Sequence, residues 1–139
     1  MKRFVLDASV ALAWFVDHPL PPQATKAREF LLRGGTALVP ALWHLEMANG
    51  FAMAERRRIL SAPALDECLI KLNQLLAHRI ETSSTLISLR EALTTARSFH
   101  LSAYDAVYLA TARNQALPLA TLDRELRAAA SKAGVEVIG

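Results

Sequence analysis

The chain has 139 residues, 53% of them hydrophobic and 21% charged, with a formal charge of +3. That size and balance exclude an extended disordered chain and predict one domain over residues 1–139 built on a single core. Aromatics at 6% leave Leu, Ala and Val to fill the core, which favours packed helices, and the lone Cys68 rules out an internal disulfide or a cysteine-based zinc cluster. Phe4-Val5-Leu6 is then a short apolar run ended by Asp7, the mark of a buried strand. Ala8 to Phe15 follows as a short helix with Asp7 or Ser9 as its cap, and Pro19, Pro21 and Pro22 make a rigid break. Gln23 to Leu32 is a second helix, stopped by Gly34-Gly35.

Thr36 to Val39 predicts a second strand, and Pro40 opens a longer helix to about Arg58. Ser61-Ala62-Pro63 caps the next helix, in which Leu65, Cys68, Leu69, Leu72 and Leu76 form an apolar stripe. Ile80 begins a brief strand or turn. Leu86, Leu89, Leu93 and Ala96 repeat the helical spacing between Ser83 and about Phe99, and Ser102 starts another helix to Gln115. Leu117 to Ala120 is a third strand candidate, Arg124 to Ala133 a last helix ended by Gly134, and Val135 to Ile138 a closing strand. Short apolar strands alternating with helices predict an α/β fold, a three-layer α/β/α sandwich around a short, mainly parallel sheet.

Met1-Lys2-Arg3 ahead of Phe4-Val5-Leu6 has the look of a secretory leader. Asp7 interrupts the apolar run, however, and His18-Pro19 stands where small residues belong, so no signal is expected. No stretch reaches the ~20 apolar residues of a membrane span. A cytoplasmic protein is the expectation. The mild basic excess is compatible with a nucleic-acid partner without singling one out.

In parallel α/β sheets ligands sit beyond the carboxyl ends of the strands. Asp7 follows the first strand and Asp123 closely follows the strand ending near Ala120, so both are expected on one rim. Each acid has an ordinary role as well. Asp7 and Asp123 could cap the helices after them, and Ser102-Ala103-Tyr104-Asp105 resembles a capping box with Asp in place of Glu. Glu46 is harder to explain so, because it lies one turn beyond Leu42 and beside Leu45, near a face expected to be buried, with Asn49 on the same side. Asp105 opens a segment that is apolar on nearly every other face. Two carboxylates about 4 Å apart repel by roughly 4 kcal/mol at an effective dielectric near 20. Only Arg124 adjoins any of these acids in sequence, so a hard divalent cation, Mg2+ or Mn2+, is the expected counter-charge.

At these positions a family resemblance becomes specific. Phe4-Val5-Leu6-Asp7-Ala8-Ser9 resembles the opening of a PIN domain, and Leu45-Glu46-Met47-Ala48-Asn49 its second motif. Ser102 to Ala110, with Asp105 leading into Tyr108-Leu109-Ala110, is similar to the third, and Leu119-Ala120-Thr121-Leu122-Asp123 to the fourth. The motifs stand in order over nearly the whole chain, most like VapC-type toxins, the nuclease halves of bacterial toxin–antitoxin pairs. The resemblance implies an acidic metal site of Asp7, Glu46, Asp105 and Asp123 binding Mg2+ or Mn2+, supported by Ser9, Asn49 and Thr121. It implies hydrolysis of RNA phosphodiester bonds by a metal-activated water, a VapB-like antitoxin partner, and a homodimer.

Arg56-Arg57-Arg58 is the densest basic cluster, and with Arg124 it is a candidate for RNA contact; Lys2-Arg3, Arg97, Arg113 and Arg127 are scattered further candidates. The plainer reading of Arg56 to Arg58 is a solvated helix end facing the dipole. Trp14, Phe15, Trp43 and Phe51 are candidates for a partly exposed surface that takes a partner helix. Two other functions compete. A phosphoacceptor or phosphotransferase using Asp7 would need a late lysine where Thr121-Leu122-Asp123 stands. A non-catalytic RNA- or protein-binding module has no use for four acids, which repel phosphate unless a metal intervenes.

Overall fold

A computed structural model describes residues 3–139. Strand β1 (Arg3–Leu6) lies inside the sheet, and its Phe4, Val5 and Leu6 are fully buried, as an apolar run without alternation requires. It pairs in parallel with β2 (Thr36–Val39) on one side and β4 (Leu119–Ala120) on the other, while β3 (Ile80–Thr82) adds to the outer side of β2. The order β3-β2-β1-β4 makes a four-stranded parallel sheet.

Helical crossovers join the strands. Helices α1 (Ala8–Val16) and α2 (Pro22–Leu32) lead from β1 to β2, and α3 (Leu42–Arg56) and α4 (Ala62–His78) from β2 to β3. Then α5 (Leu89–Phe99) and α6 (Ala103–Gln115) lead to β4, with α7 (Arg124–Lys132) after it. The fold is α/β, as the alternation predicts, and its buried residues form one connected core. Within the core, α6 packs on β1 and β4, and α1 packs on α2 and α3. Gly50 permits the last of these contacts, since a Cβ there would collide with the Leu12 side chain.

The chain leaves β1 toward β2 on one side and returns to β4 on the other, which makes the carboxyl end of β1 the point where the strand order reverses. Pairing of Leu6 with Ala120 aligns the ends of β1 and β4 there, and the Asp7 amide donates to the Ala120 carbonyl at 3.0 Å. A crevice at such a reversal is where ligands of open α/β sheets bind. The fold therefore brings residues 7 and 121 side by side across most of the chain length.

Several predicted elements differ. The helix expected from Ser83 begins only at Leu89, because the Ser83 hydroxyl turns the chain through Thr85 and Ser88 caps the Glu91 amide instead. Its leucines are not core: Leu86, Leu89 and Leu93 are 87%, 82% and 51% exposed. The stripe on α4 is only half covered, with Leu72 buried and Leu69 42% exposed. The strand expected from Leu117 shrinks to Leu119–Ala120, as Pro118 has no amide to donate. The closing strand reduces to one bridge between Leu119 and Val137. Trp43 and Phe51 are buried rather than exposed, whereas Trp14 and Phe15 are half-buried. The N-terminal Met1-Lys2 of the leader-like segment lies outside the described residues. Among the described residues no helix is long and apolar enough to cross a membrane.

Candidate metal centre

Asp7 sits where β1 ends and α1 begins. It occupies the cap position of α1, yet its side chain makes no cap bond. The carboxylate instead turns into the sheet rim, where it is 6% exposed and Oδ2 accepts from Ser9 Oγ at 2.8 Å and Thr121 Oγ1 at 2.6 Å. Those two hydroxyls also hold the loop after β4, since the Leu122 amide donates to Ser9 Oγ and the Asp123 amide to Thr121 Oγ1. Burial raises the Asp7 pKa above the usual carboxylate range, these hydrogen bonds oppose the rise, and the charge of Asp123 adds to it. Ser9 and Thr121 thus each serve two partners, orienting the acid and fixing the segment that carries the next one.

Glu46 stands on the second turn of α3 and is half-buried, but for a different reason than its apolar neighbours predict. Leu45 beside it is 75% exposed, and Asn49 is exposed as well. What covers Glu46 is α6: Tyr108, fully buried, donates its hydroxyl to Oε1 at 2.6 Å. Burial again raises the pKa, the Tyr108 bond lowers it, and the Asp7 charge raises it further. Burial pushes the Tyr108 hydroxyl up strongly too, followed by the charge of Asp7 and the Glu46 contact, so this phenol remains protonated and donating.

Asp105 occupies the first turn of α6. The Ser102 hydroxyl accepts from its amide at 3.1 Å, which is the forward half of the predicted capping box. Its carboxyl is pushed up to about 6, first by burial and then by Asp123, Asp7 and Glu46. One group therefore feels all three of the other acids. Asp123 does cap α7, as predicted, with Oδ1 accepting from the Leu126 amide at 2.9 Å. Arg127 steadies the same loop by donating to the Thr121 carbonyl at 3.2 Å.

Among the described residues no Lys or Arg forms an ion pair with this group of acids. Among the described residues the one ion pair is Arg3–Glu81, away from all four. Nor do any three His, Cys, Asp or Glu side chains among the described residues stand as a ready-made cage for an ion. Mg2+ does not need such a cage, because it keeps several waters and binds through one or two carboxylates plus substrate oxygens. An all-oxygen, net-negative donor set with uncompensated charge fits a hydrated hard cation of that kind.

The other named residues are not drawn into this group. The Asn49 side chain is exposed on α3. Arg56 lies ten residues past Glu46, about 15 Å along the helix axis at 1.5 Å per residue. Arg57 and Arg58 follow it, exposed at the helix end, and Arg124 is exposed at the start of α7. Lys2 is outside the described residues. Of the scattered cations, Arg3 pairs with Glu81 and Arg113 lies over the Phe99 ring. His100 ends α5 in the left-handed region at φ 56°. Tyr108 escaped the motif reading as a site residue. Its spacing held the signal, since it lies one helical turn after Asp105 and so on the same side of α6.

Residues 4–132 match the family model of the PIN domain. The chain belongs to the PIN domain family. PIN domains are generally nucleases. The crystal structure of PAE2754 from Pyrobaculum aerophilum is similar in fold, with a TM-score of 0.63 and 21% identity over 92% of this chain and 84% of that one. No curated protein matches the chain.

Proposed function

We propose that this PIN domain is a Mg2+- or Mn2+-dependent endoribonuclease whose metal-binding rim is formed by Asp7, Glu46, Asp105 and Asp123. The observation that carries the reading is the sheet rim where Asp7, buried and held by Ser9 and Thr121, stands with Asp105, whose carboxyl burial and the other three acids push up. Ionised at neutral pH without a cation, such a group is unfavourable, and a bound divalent ion removes the penalty. A bound ion would supply a positive centre beside a scissile phosphate and would lower the pKa of a water bound to it. The protein's part is positional. Ser9 and Thr121 hold Asp7 at the end of β1, Tyr108 holds Glu46, and the cap bond to Leu126 holds Asp123. Ser9, Thr121 and the cap bond tie two acids into one loop, so substrate meets a preorganised edge.

The finer role we propose is toxin of a toxin–antitoxin pair, inside the cell. The groove lined by Trp14, Phe15, Leu31, Leu32 and Leu75, with Arg28, Lys71 and Arg79 at its rim, supports an amphipathic antitoxin helix as the protein partner. The exposed leucines 86, 89 and 93 support a homodimer. Arg56, Arg57, Arg58 and Arg124 remain proposed RNA contacts. In the decisive experiment, purified protein is incubated with RNA in Mn2+, with chelator, and as Asp7→Asn. Cleavage confined to the first condition supports the reading, and full-rate cleavage by the variant overturns it.

A further inference from the structure

The sheet rim carries a second feature beside the acids. Strands β2 and β3 run parallel to β1 and end on the same rim, where the Ser83 amide ties their loops by donating to the Val39 carbonyl at 2.8 Å. With neighbouring strands about 4.8 Å apart, these loops start about 5 and 10 Å from the end of β1. Between them and α6 lies a cleft of about 390 Å³, walled by Pro40, Leu42, Ile87 and Val107. Ser84 and Thr85, both exposed, add hydroxyls to it. None of the described residues lining it is ionisable. Both helices that supply a wall also carry an acid. On α3, Leu42 lies one turn before Glu46; on α6, Val107 stands two residues after Asp105 and next to Tyr108, the partner of Glu46. Tyr104, 65% exposed, precedes Val107 by three residues and so shares its side of α6.

We infer that this cleft is a nucleobase subsite, which takes an unpaired base of the RNA whose phosphate lies at the acidic rim, with Tyr104 as a stacking face. The inference rests on the nuclease reading above. A cleft without charge has nothing to draw a phosphate, and its volume is at the lower end of the roughly 300–1,000 Å³ of small-molecule pockets. What suits it is a flat, neutral group with apolar faces and a polar edge. Unpaired bases are groups of that kind, and proteins hold them between apolar or aromatic side chains while polar groups read the edge. The rim thus deals with the charge of the RNA chain, and the cleft with a base beside it. A base still paired in a duplex cannot enter, because its faces are already stacked and its edge already bonded. Tyr104 offers its ring from the surface, so its removal leaves the core untouched.

Nucleosides test the subsite apart from the nuclease, since they carry no phosphate and need no ion. Adenosine, guanosine, cytidine and uridine are titrated into the full chain in EDTA and followed by two-dimensional amide NMR. At least one of them is expected to shift the amides of Leu42, Thr85, Ile87 and Val107 saturably. It should bind Tyr104→Ala more weakly by about 5-fold or more, the low end for loss of a base–aromatic stack. Tyr104→Phe keeps the ring and should bind as wild type does. Equal binding by Tyr104→Ala, shifts that gather elsewhere on the chain, or no binding by any of the four overturns the inference and leaves the nuclease reading standing. Concentration-dependent broadening of the same amides without nucleoside marks the cleft as a contact between copies of the chain, and overturns it too. Asp7→Asn separates the two readings, because it is expected to lose RNA cleavage while keeping the nucleoside shifts. Full-rate cleavage by that variant, with the shifts intact, overturns the nuclease reading and not the cleft.

Discussion

The crowding of acids at the sheet rim predicts how metal-free protein responds to pH. Asp105 has a carboxyl pushed up from 3.8 to about 6, so the folded chain holds that proton more tightly than the unfolded chain does. Between about pH 4 and 6 the folded state binds the extra proton, and stability falls as pH rises through that window. Above pH 6 the penalty is fully present; below pH 4 it is gone. The displacement corresponds to about 3 kcal/mol at 1.36 kcal/mol per pH unit. Asp105 is half open to solvent, which screens the interaction, so about 1–2 kcal/mol is the expected share in stability.

Asp105→Asn removes the charge and keeps the shape. In chelator, the variant should be more stable than wild type at pH 7.5 by that amount, about 3–6 °C in Tm for a chain of this size. The advantage should shrink as pH falls and vanish near pH 4. Thermal melts of both proteins in EDTA at four values between pH 4 and 7.5 measure it. Burial raises Asp7 and Glu46 as well, so wild type alone should also lose stability as pH climbs, but the difference between the two proteins isolates Asp105. An advantage that is absent at pH 7.5, or equally large at pH 4, would refute the claim that the four acids repel one another here.

Other expectations follow from the same structure. Thr121→Val deletes a fully buried donor to a carboxylate, and a loss of about 2 kcal/mol in urea denaturation is expected for a charge-assisted bond of this kind. Leu109→Ala, at a fully buried position on α6, should cost about 2–5 kcal/mol, whereas Leu89→Ala on the exposed face of α5 should stay within about 0.5 kcal/mol for the monomer. Ser102→Ala should cost about 1 kcal/mol of stability by removing the cap of α6, read in the same melts.

How much of this was legible beforehand depended on whether the signal was local. Strand β1 could be read from Phe4-Val5-Leu6 because a strand buried on both faces needs an unbroken apolar run. The caps at Ser61, Ser102 and Asp123 could be read because a hydroxyl or carboxylate bonds an amide three residues on. The face of α5 could not. Its leucines repeat every three to four residues, as a core stripe would, but periodicity says only that a helix has an apolar face and not what covers it. On α3 the error ran the other way: Leu45 suggested a buried surround for Glu46, when the cover comes from Tyr108, 62 residues later.

Asp7 shows why the site itself was only half visible. As a residue between a strand and a helix it is an ordinary cap, and nothing local says that its side chain will decline the role. What redirects it is the parallel pairing of β1 with β4, which delivers the Thr121 hydroxyl to Oδ2 from 114 positions away. Ser9 then serves both ends of the same arrangement, accepting from the Leu122 amide while donating to Asp7. Asp123 keeps its cap bond through Oδ1 and still bears on Asp105. At Asp123, capping and the proposed metal binding therefore do not compete. A carboxylate has two oxygens, and one that is fixed by the fold holds the other in a defined place for an ion.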